Sequence, residues 1–317
     1  MTCPQWTRLL AVVAMTALVG SAASVEPIMA QTAQPTARGN SVPPFDSTRA
    51  WEHLRHQVSL GPRPAGSAAL NTTRRYIIEQ LEKAGIQTRQ QIFIARTPLG
   101  EMSMANIIAT IPGRRPERII LGSHFDTKRT SDFRFVGAND GASSTAVLLE
   151  LGRVLKARTH DFTLELLFLD GEEAVNWDWG TTGADNTYGS RHYVDDARKA
   201  GTLASIKAFV LLDMVGDREL VLRRDQQSTR WLVDAIWSTA ATLGHGKVFS
   251  NEPTDVEDDH VSFLRAGVPA VDIIDLEYPQ WHTAQDDLDH VSARSLQVVG
   301  DVVVASLPVI AKRATQP

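Results

Sequence analysis

Short, continuous apolar runs punctuate this chain: IILG, TLELLFLD, IKAFVLLDMV and VPAVDIID. Runs of this length and β-rich composition are expected of strands covered on both faces. QQIFIAR and MANIIATI, the latter stopped by Pro112 and Gly113, are further strand candidates. Between and around them the apolar residues recur at helical spacing, in DSTRAWEHLRHQV, LNTTRRYIIEQLEKAGI, SSTAVLLELGRVLKA, YGSRHYVDDARKAG, STRWLVDAIWSTAATLG and SARSLQVVGDVVVASLPVIAKR. A strand buried on both faces needs a helical layer on each side. The alternation therefore predicts an α/β fold, a three-layer α/β/α sandwich around a central mixed, mainly parallel sheet.

Ligand sites in such sheets gather beyond the carboxyl ends of the strands. Polar residues stand at those ends here: His124 and Asp126 after IILGS, Asp170 to Glu173 after LELLF, Asp213 closing FVLLD, and an acidic turn after VDII. With 43% hydrophobic and 22% charged residues among 317, one large folded domain is expected over 45–317. The net charge of −5 and a pI near 6.0 come from interspersed acids and bases with no long basic block. That argues against nucleic acid or a lipid surface as partner and for a small molecule or peptide, with a monomer expected. At the amino terminus, one arginine, an apolar stretch from Leu9 to Val19 and small residues to Ala23 predict a signal peptide over 1–23, hence a periplasmic or secreted protein. The stretch is shorter than the ~20 residues of a membrane span, so an uncleaved anchor is the lesser reading. Residues 24–44 are polar, proline-containing and aperiodic, as a disordered leader is. Cys3, the only cysteine, falls within the predicted signal, so the mature chain is expected to carry no thiol chemistry.

His124, Asp140, Glu173, Asp213 and His282 are the residue types from which enzymes build metal sites. Singly, each has a plainer explanation. Asp140 in GANDGASS reads as readily as a helix cap, and His282 in YPQWHTAQDD as a satisfied histidine in a polar turn. Asp213 ends an apolar run and must find a partner or shift its pKa. GEEA is the most informative tetrapeptide, because two adjacent carboxylates on one turn can divide the work, one holding a metal and the other moving protons.

The ordered set SHFD, GANDGAS, FLDGEEA, LLDMVG and WHT resembles the zinc-dependent aminopeptidase superfamily. Within it, VSLGPRPAGS, MANIIATIPG, SHFDTK, FVGANDGAS, YGSRH, EDDHVSFLRAGVPAVDII and QWHT are similar to the animal-type glutaminyl cyclases, from about Phe45 to the end of the chain. The resemblance implies one zinc per chain, held by Asp140, Glu173 and His282. It implies Glu172 as the proton-shuttling acid/base, with Asp213 and Asp258 in its network, and Trp177 and Trp281 as walls of the substrate pocket; Trp179 and Tyr278 are lesser pocket candidates. The activity implied is closure of an N-terminal glutamine of a peptide to pyroglutamate with release of ammonia. Two readings compete with it. One is a two-zinc aminopeptidase, with His124 and Asp213 on a second metal and Asp140 bridging. The other is a catalytically silent binding domain on the same fold, against which the full ligand set and Glu172 both speak.

Overall fold

The structure is a computed structural model that describes residues 43–176, 179 and 185–315. Residues 1–42, which hold the signal expected over 1–23 and all but the last two residues of the leader expected over 24–44, lie outside the described residues. The chain opens with α1 (Ser47–Ser59), capped by the Asp46 carboxylate, and α2 (Ala68–Lys83), capped by Ser67. A hairpin of β1 (Gln87–Thr97) and β2 (Gly100–Ile111) follows, then β3 (Arg115–His124), α3 (Ala142–Lys156), β4 (Phe162–Leu169), α4 (Tyr188–Lys199) and β5 (Ile206–Asp213). The last third holds β6 (Leu222–Asp225), α5 (Arg230–Thr242), β7 (Phe249–Thr254), α6 (Asp259–Arg265), β8 (Ala270–Ile274) and α7 (Ala293–Ala314).

The main sheet runs in the order β1-β2-β4-β3-β5-β8. β4, β3, β5 and β8 pair in parallel, while β1, β2 and β4 pair antiparallel, so the sheet is mixed. Successive side chains of a strand point to opposite faces, and the core divides accordingly. Ile119, Leu121, Leu166, Val210 and Leu212 pack with α1, α2, α3, α5 and α7 on one face. Ile120, Leu167, Phe209 and Leu211 pack with Tyr193 and Val194 of α4 and Phe263 of α6 on the other. This is the three-layer sandwich expected from the alternation. α7 is apolar enough to cross a membrane by length and composition, but 56% of its apolar window is buried inside the fold.

Three elements differ from the sequence reading. β6 and β7 form a separate parallel pair, and α6 covers part of the second face. All three are short, and β7 is largely exposed, so neither apolar period nor length marks them. The parallel strands give the functional result: the carboxyl ends of β3, β4, β5 and β8 leave the sheet along one edge.

Candidate active site

The loop after β3 leads to α3, and the helix does not use Asp140 as its cap. Gly141 is the N-cap residue, at φ 88, and makes no side-chain cap bond. A Cβ there would lie 2.5 Å from the Asp126 carbonyl oxygen and 3.1 Å from the His124 ring, so glycine is what lets this turn pass beneath the histidine. The Asp140 carboxylate is left free for other work. Its backbone is held from behind: Asn139 N and Asp140 N donate to the two oxygens of Asp286 at 2.7 and 3.1 Å. The fully buried Arg63 of the PRPAGS stretch donates to the carbonyls of Val136 and Gly137 at 2.8 and 3.2 Å.

The GEEA turn is fixed in the same manner. Gly171 sits at φ 71, where a Cβ would strike Met104. The Glu172 and Glu173 amides donate to the two oxygens of Asp126, each at 3.2 Å. Both glutamates are thereby turned into one buried volume, 4% and 2% exposed. His282 arrives from the loop after β8 with its backbone at φ 52, a left-handed conformation that a non-glycine residue holds only at a cost of about 1–3 kcal/mol. Its Nε2 comes within 3.4 Å of Asp140 Oδ2 and of Glu173 Oε2.

Two ligand groups emerge, each with atoms within 4.8 Å of one another: Asp140 with Glu173 and His282, and His124 with Asp140 and Asp213. In the first, Asp140 Oδ2, Glu173 Oε1 and His282 Nε2 are buried atoms with no hydrogen-bond partner. Three oriented donors of this chemistry, each lacking a partner, fit a divalent metal with a coordination position left over. In the second, His124 Nε2 is hydrogen-bonded to Asp213 Oδ1 at 3.0 Å, and the other ring nitrogen faces Glu172 Oε2 at 3.4 Å.

Electrostatics separates the two glutamates from Asp140. Burial pushes Glu172 well above the usual carboxylate range, reinforced by Asp258, Glu173 and Asp213 and opposed by His124. Burial, with Asp140 beside it, also raises Glu173. Burial works on Asp140 too, yet the His124 and His282 rings hold it well below its ordinary value. At His282, burial is outweighed by the Asp140 and Glu173 carboxylates, which push it up to about 9. Asp258, the N-cap residue of α6, is pushed up to about 7 by burial and by Asp213.

Asp140, Glu172, Glu173, Asp213, Asp258 and His282 all line one cavity of about 260 Å³, together with Trp179 and Trp281. Trp281 stacks on His282 with ring centroids 4.1 Å apart and is 41% exposed, an apolar wall at the mouth. Trp179 directs its Nε1 at Glu173 Oε2, 3.4 Å away. Trp177 lies outside the described residues. Tyr278 is a correction: expected at the pocket, it is 3% exposed, packs behind Met214, Val256 and Ile274, and donates its hydroxyl to Asp286 at 2.9 Å. It braces the Asp140 loop instead of meeting a ligand. The sequence reading missed the bracing by Asp126, Asp286 and Arg63, because their side-chain partners lie far away in the chain. A larger cavity, about 810 Å³, opens at the amino ends of β5 and β8, but its lining contains no acid and no histidine. The smaller one holds the chemistry.

The sequence pattern of peptidase family M28 matches residues 106–307. Glutaminyl-peptide cyclotransferase of Boiga irregularis is 30% identical over 295 residues, covering 80% of this chain and 79% of the relative. A glutaminyl-peptide cyclotransferase-like protein of Mus musculus is 32% identical, covering 76% and 70%. Among solved structures, a glutaminyl cyclase from an Acidobacteriales bacterium aligns with a TM-score of 0.81 at 37% identity, over 89% of this chain and all of that one. A leucine aminopeptidase precursor of Bacteroides thetaiotaomicron aligns with a TM-score of 0.77 at 28% identity, over 84% and 98%.

Proposed function

We propose a reaction for this chain from the premise that it belongs to peptidase family M28 and, within it, to the glutaminyl-peptide cyclotransferases: it closes the N-terminal glutamine of a peptide to pyroglutamate and releases ammonia. The observation that carries the reading is the pairing, in one cavity, of a partnerless Asp140–Glu173–His282 set with a neighbouring buried carboxyl, Glu172, that is outside the set.

Asp140, Glu173 and His282 would hold a single zinc ion. Such an ion supplies Lewis-acid polarisation of the γ-carbonyl of the glutamine and stabilises the negative charge that develops on its oxygen. The chain's own residues do the rest. Glu172 takes a proton from the α-amine as that nitrogen attacks the carbon of the side-chain carbonyl, and returns it to the departing amide nitrogen, which leaves as ammonia. One C–N bond forms, one breaks, and no water is consumed. Burial suits Glu172 to this, because a carboxyl whose hold on the proton is strengthened is a better acceptor for the proton it must later return. His124 faces Glu172 Oε2 and restrains its position. Asp213 and Asp258 add negative charge that favours the protonated form. Trp281 and Trp179 narrow the mouth, and so favour a tethered amine over solvent as the nucleophile. Taken with the export signal expected over 1–23, the substrates are peptides outside the cytoplasm.

Incubation of the zinc-loaded protein with a Gln-initiated peptide, followed by mass, tests the reading. A loss of ammonia with the backbone intact is expected. Release of the first residue would overturn it in favour of the two-metal aminopeptidase.

A further inference from the structure

Two carboxyls of the cavity have no part in the reaction as written. Asp140 and Glu173 belong to the metal set, Glu172 carries the proton, Asp213 is bonded to His124, and Asp258 is buried at the start of α6. Asp255 and Glu257 line the same cavity but are exposed, in the segment between β7 and α6, and so stand at its mouth. Leu276 and Trp281, 39% and 41% exposed, form the apolar part of that mouth. Among the described residues the lining holds no lysine and no arginine.

The two acids differ in what balances them. Glu257 is paired with the Arg265 guanidinium at 3.0 Å, so its charge is matched. Asp255 accepts from an uncharged group, the Gln227 side-chain amide, at 2.8 Å, and among the described residues it has no ion pair. The same amide nitrogen donates to the Val256 carbonyl at 2.7 Å, and the Val256 amide donates to the buried Asp225 at 3.1 Å. The backbone beside Asp255 is thus tied down at both of its polar groups, and the unmatched charge has a fixed place on the rim. Deeper in the cavity, the partnerless atoms of Asp140, Glu173 and His282 mark where the glutamine is taken up. The residue that follows it in the peptide must then pass the rim. A lysine or arginine at that position can lay its alkyl stem along Leu276 and Trp281 with its charge toward Asp255, whereas a glutamate meets like charge with no base in the lining to offset it.

We propose that Asp255 is a specificity-determining residue, favouring peptides whose second residue is basic over those whose second residue is acidic. The inference rests on the cyclase reading of the site and is tested on the zinc-loaded protein with three peptides, Gln-Xaa-Ala-Ala amidated at the carboxyl end, where Xaa is Lys, Ala or Glu. Ammonia release at low salt is expected to give a kcat/KM on the order of 10-fold higher for the Lys peptide than for the Glu peptide, with Ala between, because a unit charge a few ångströms from another is worth up to about a factor of five in water. The difference should lie in KM, with kcat within about two-fold, since the rim touches no reacting atom. Asp255→Asn keeps an acceptor for Gln227 and removes the charge; it is expected to bring the Lys-to-Glu ratio within about three-fold and to leave the rate on the Ala peptide unchanged. Asp255→Lys should reverse the order. Salt reads the same charge without any substitution, and about 0.5 M should shrink the wild-type ratio toward two-fold. Equal kcat/KM on the Lys and Glu peptides, a ratio that salt does not move, or one that survives Asp255→Asn would each overturn the proposal. If the wild type releases the first residue instead of ammonia, the cyclase reading fails by itself, and the same ratio measured on that hydrolysis still decides the role of Asp255.

Discussion

Asp140 stands between two sets of neighbours that look alike on paper. Glu173 and His282 lie to one side and His124 and Asp213 to the other; each side offers one carboxylate and one imidazole, and each gathers its ligand atoms within 4.8 Å of those of Asp140. They differ in what their atoms already do. On the first side, Glu173 Oε1, His282 Nε2 and Asp140 Oδ2 have no hydrogen-bond partner. On the second, His124 Nε2 is bonded to Asp213 Oδ1, which also accepts the Met214 amide at 2.8 Å. Residue type thus says what a side chain is able to bind, and prior satisfaction says whether it is still available. The comparison favours one metal over two and leaves His124 as a brace for Glu172.

The largest effect that could break this comparison is at the carboxyl that belongs to neither set. Glu172→Gln should lower kcat by roughly 100- to 10,000-fold while metal content stays at one per chain, measured by turnover and metal analysis on the same sample; an unchanged rate would remove Glu172 from the proton path. Glu173→Gln should instead weaken metal binding by more than about 100-fold, beyond what an outer partner of a ligand usually costs, and competition with a chelator reads it directly. His124→Gln sharpens the contrast, since it should lower activity and leave metal stoichiometry unchanged. A wild type that holds two ions and a variant that holds one would make the two sides equivalent.

A smaller effect appears in pH. Without metal, burial holds Asp170, Asp258 and Asp286 up to about 7, and the carboxylates around His282 hold it up to about 9. All four keep protons in the folded chain that the unfolded chain has released, so their contribution is complete at low pH and is lost as pH rises through those values. The Tm of the chelated protein is therefore expected to fall between about pH 5 and pH 9, and metal should flatten the slope by replacing protons on its ligands. A chelated protein more stable at the alkaline end would contradict the assignment. The smallest change expected is at Tyr278→Phe, which removes the hydroxyl bond to Asp286 and should cost about 1 kcal/mol of stability in urea unfolding with little change in KM.

The strands of the main sheet were legible because burial on both faces writes itself as an unbroken apolar run, and the strand ends were legible because a polar residue there interrupts it. The residues that the structure gathers in the cavity, Asp140, Glu172, Glu173, Asp213 and His282, stand at or soon after such ends. What escaped was of another kind. Asp126, Asp286 and Arg63 act on backbone groups that only folding brings near, and nothing local distinguishes them from any other acid or base. Tyr278 sits close to His282 in sequence but faces away from the cavity, because the direction of a side chain in an irregular turn is set by its tertiary partners. β6, β7 and α6 are too short to show a period.

The left-handed backbone of His282 has a mechanical meaning beyond aiming an imidazole. A residue held there against its preference behaves like a bent spring, and the turn around it, in which the Trp281 and Thr283 amides donate to the Tyr278 and Gln280 carbonyls at 3.2 and 3.1 Å, keeps it bent. Trp281 is stacked on that same ring, so a relaxation at 282 would carry the lip of the cavity with it. A change of conformation at 282 would thus alter the shape of the opening as well as the aim of the imidazole inside it.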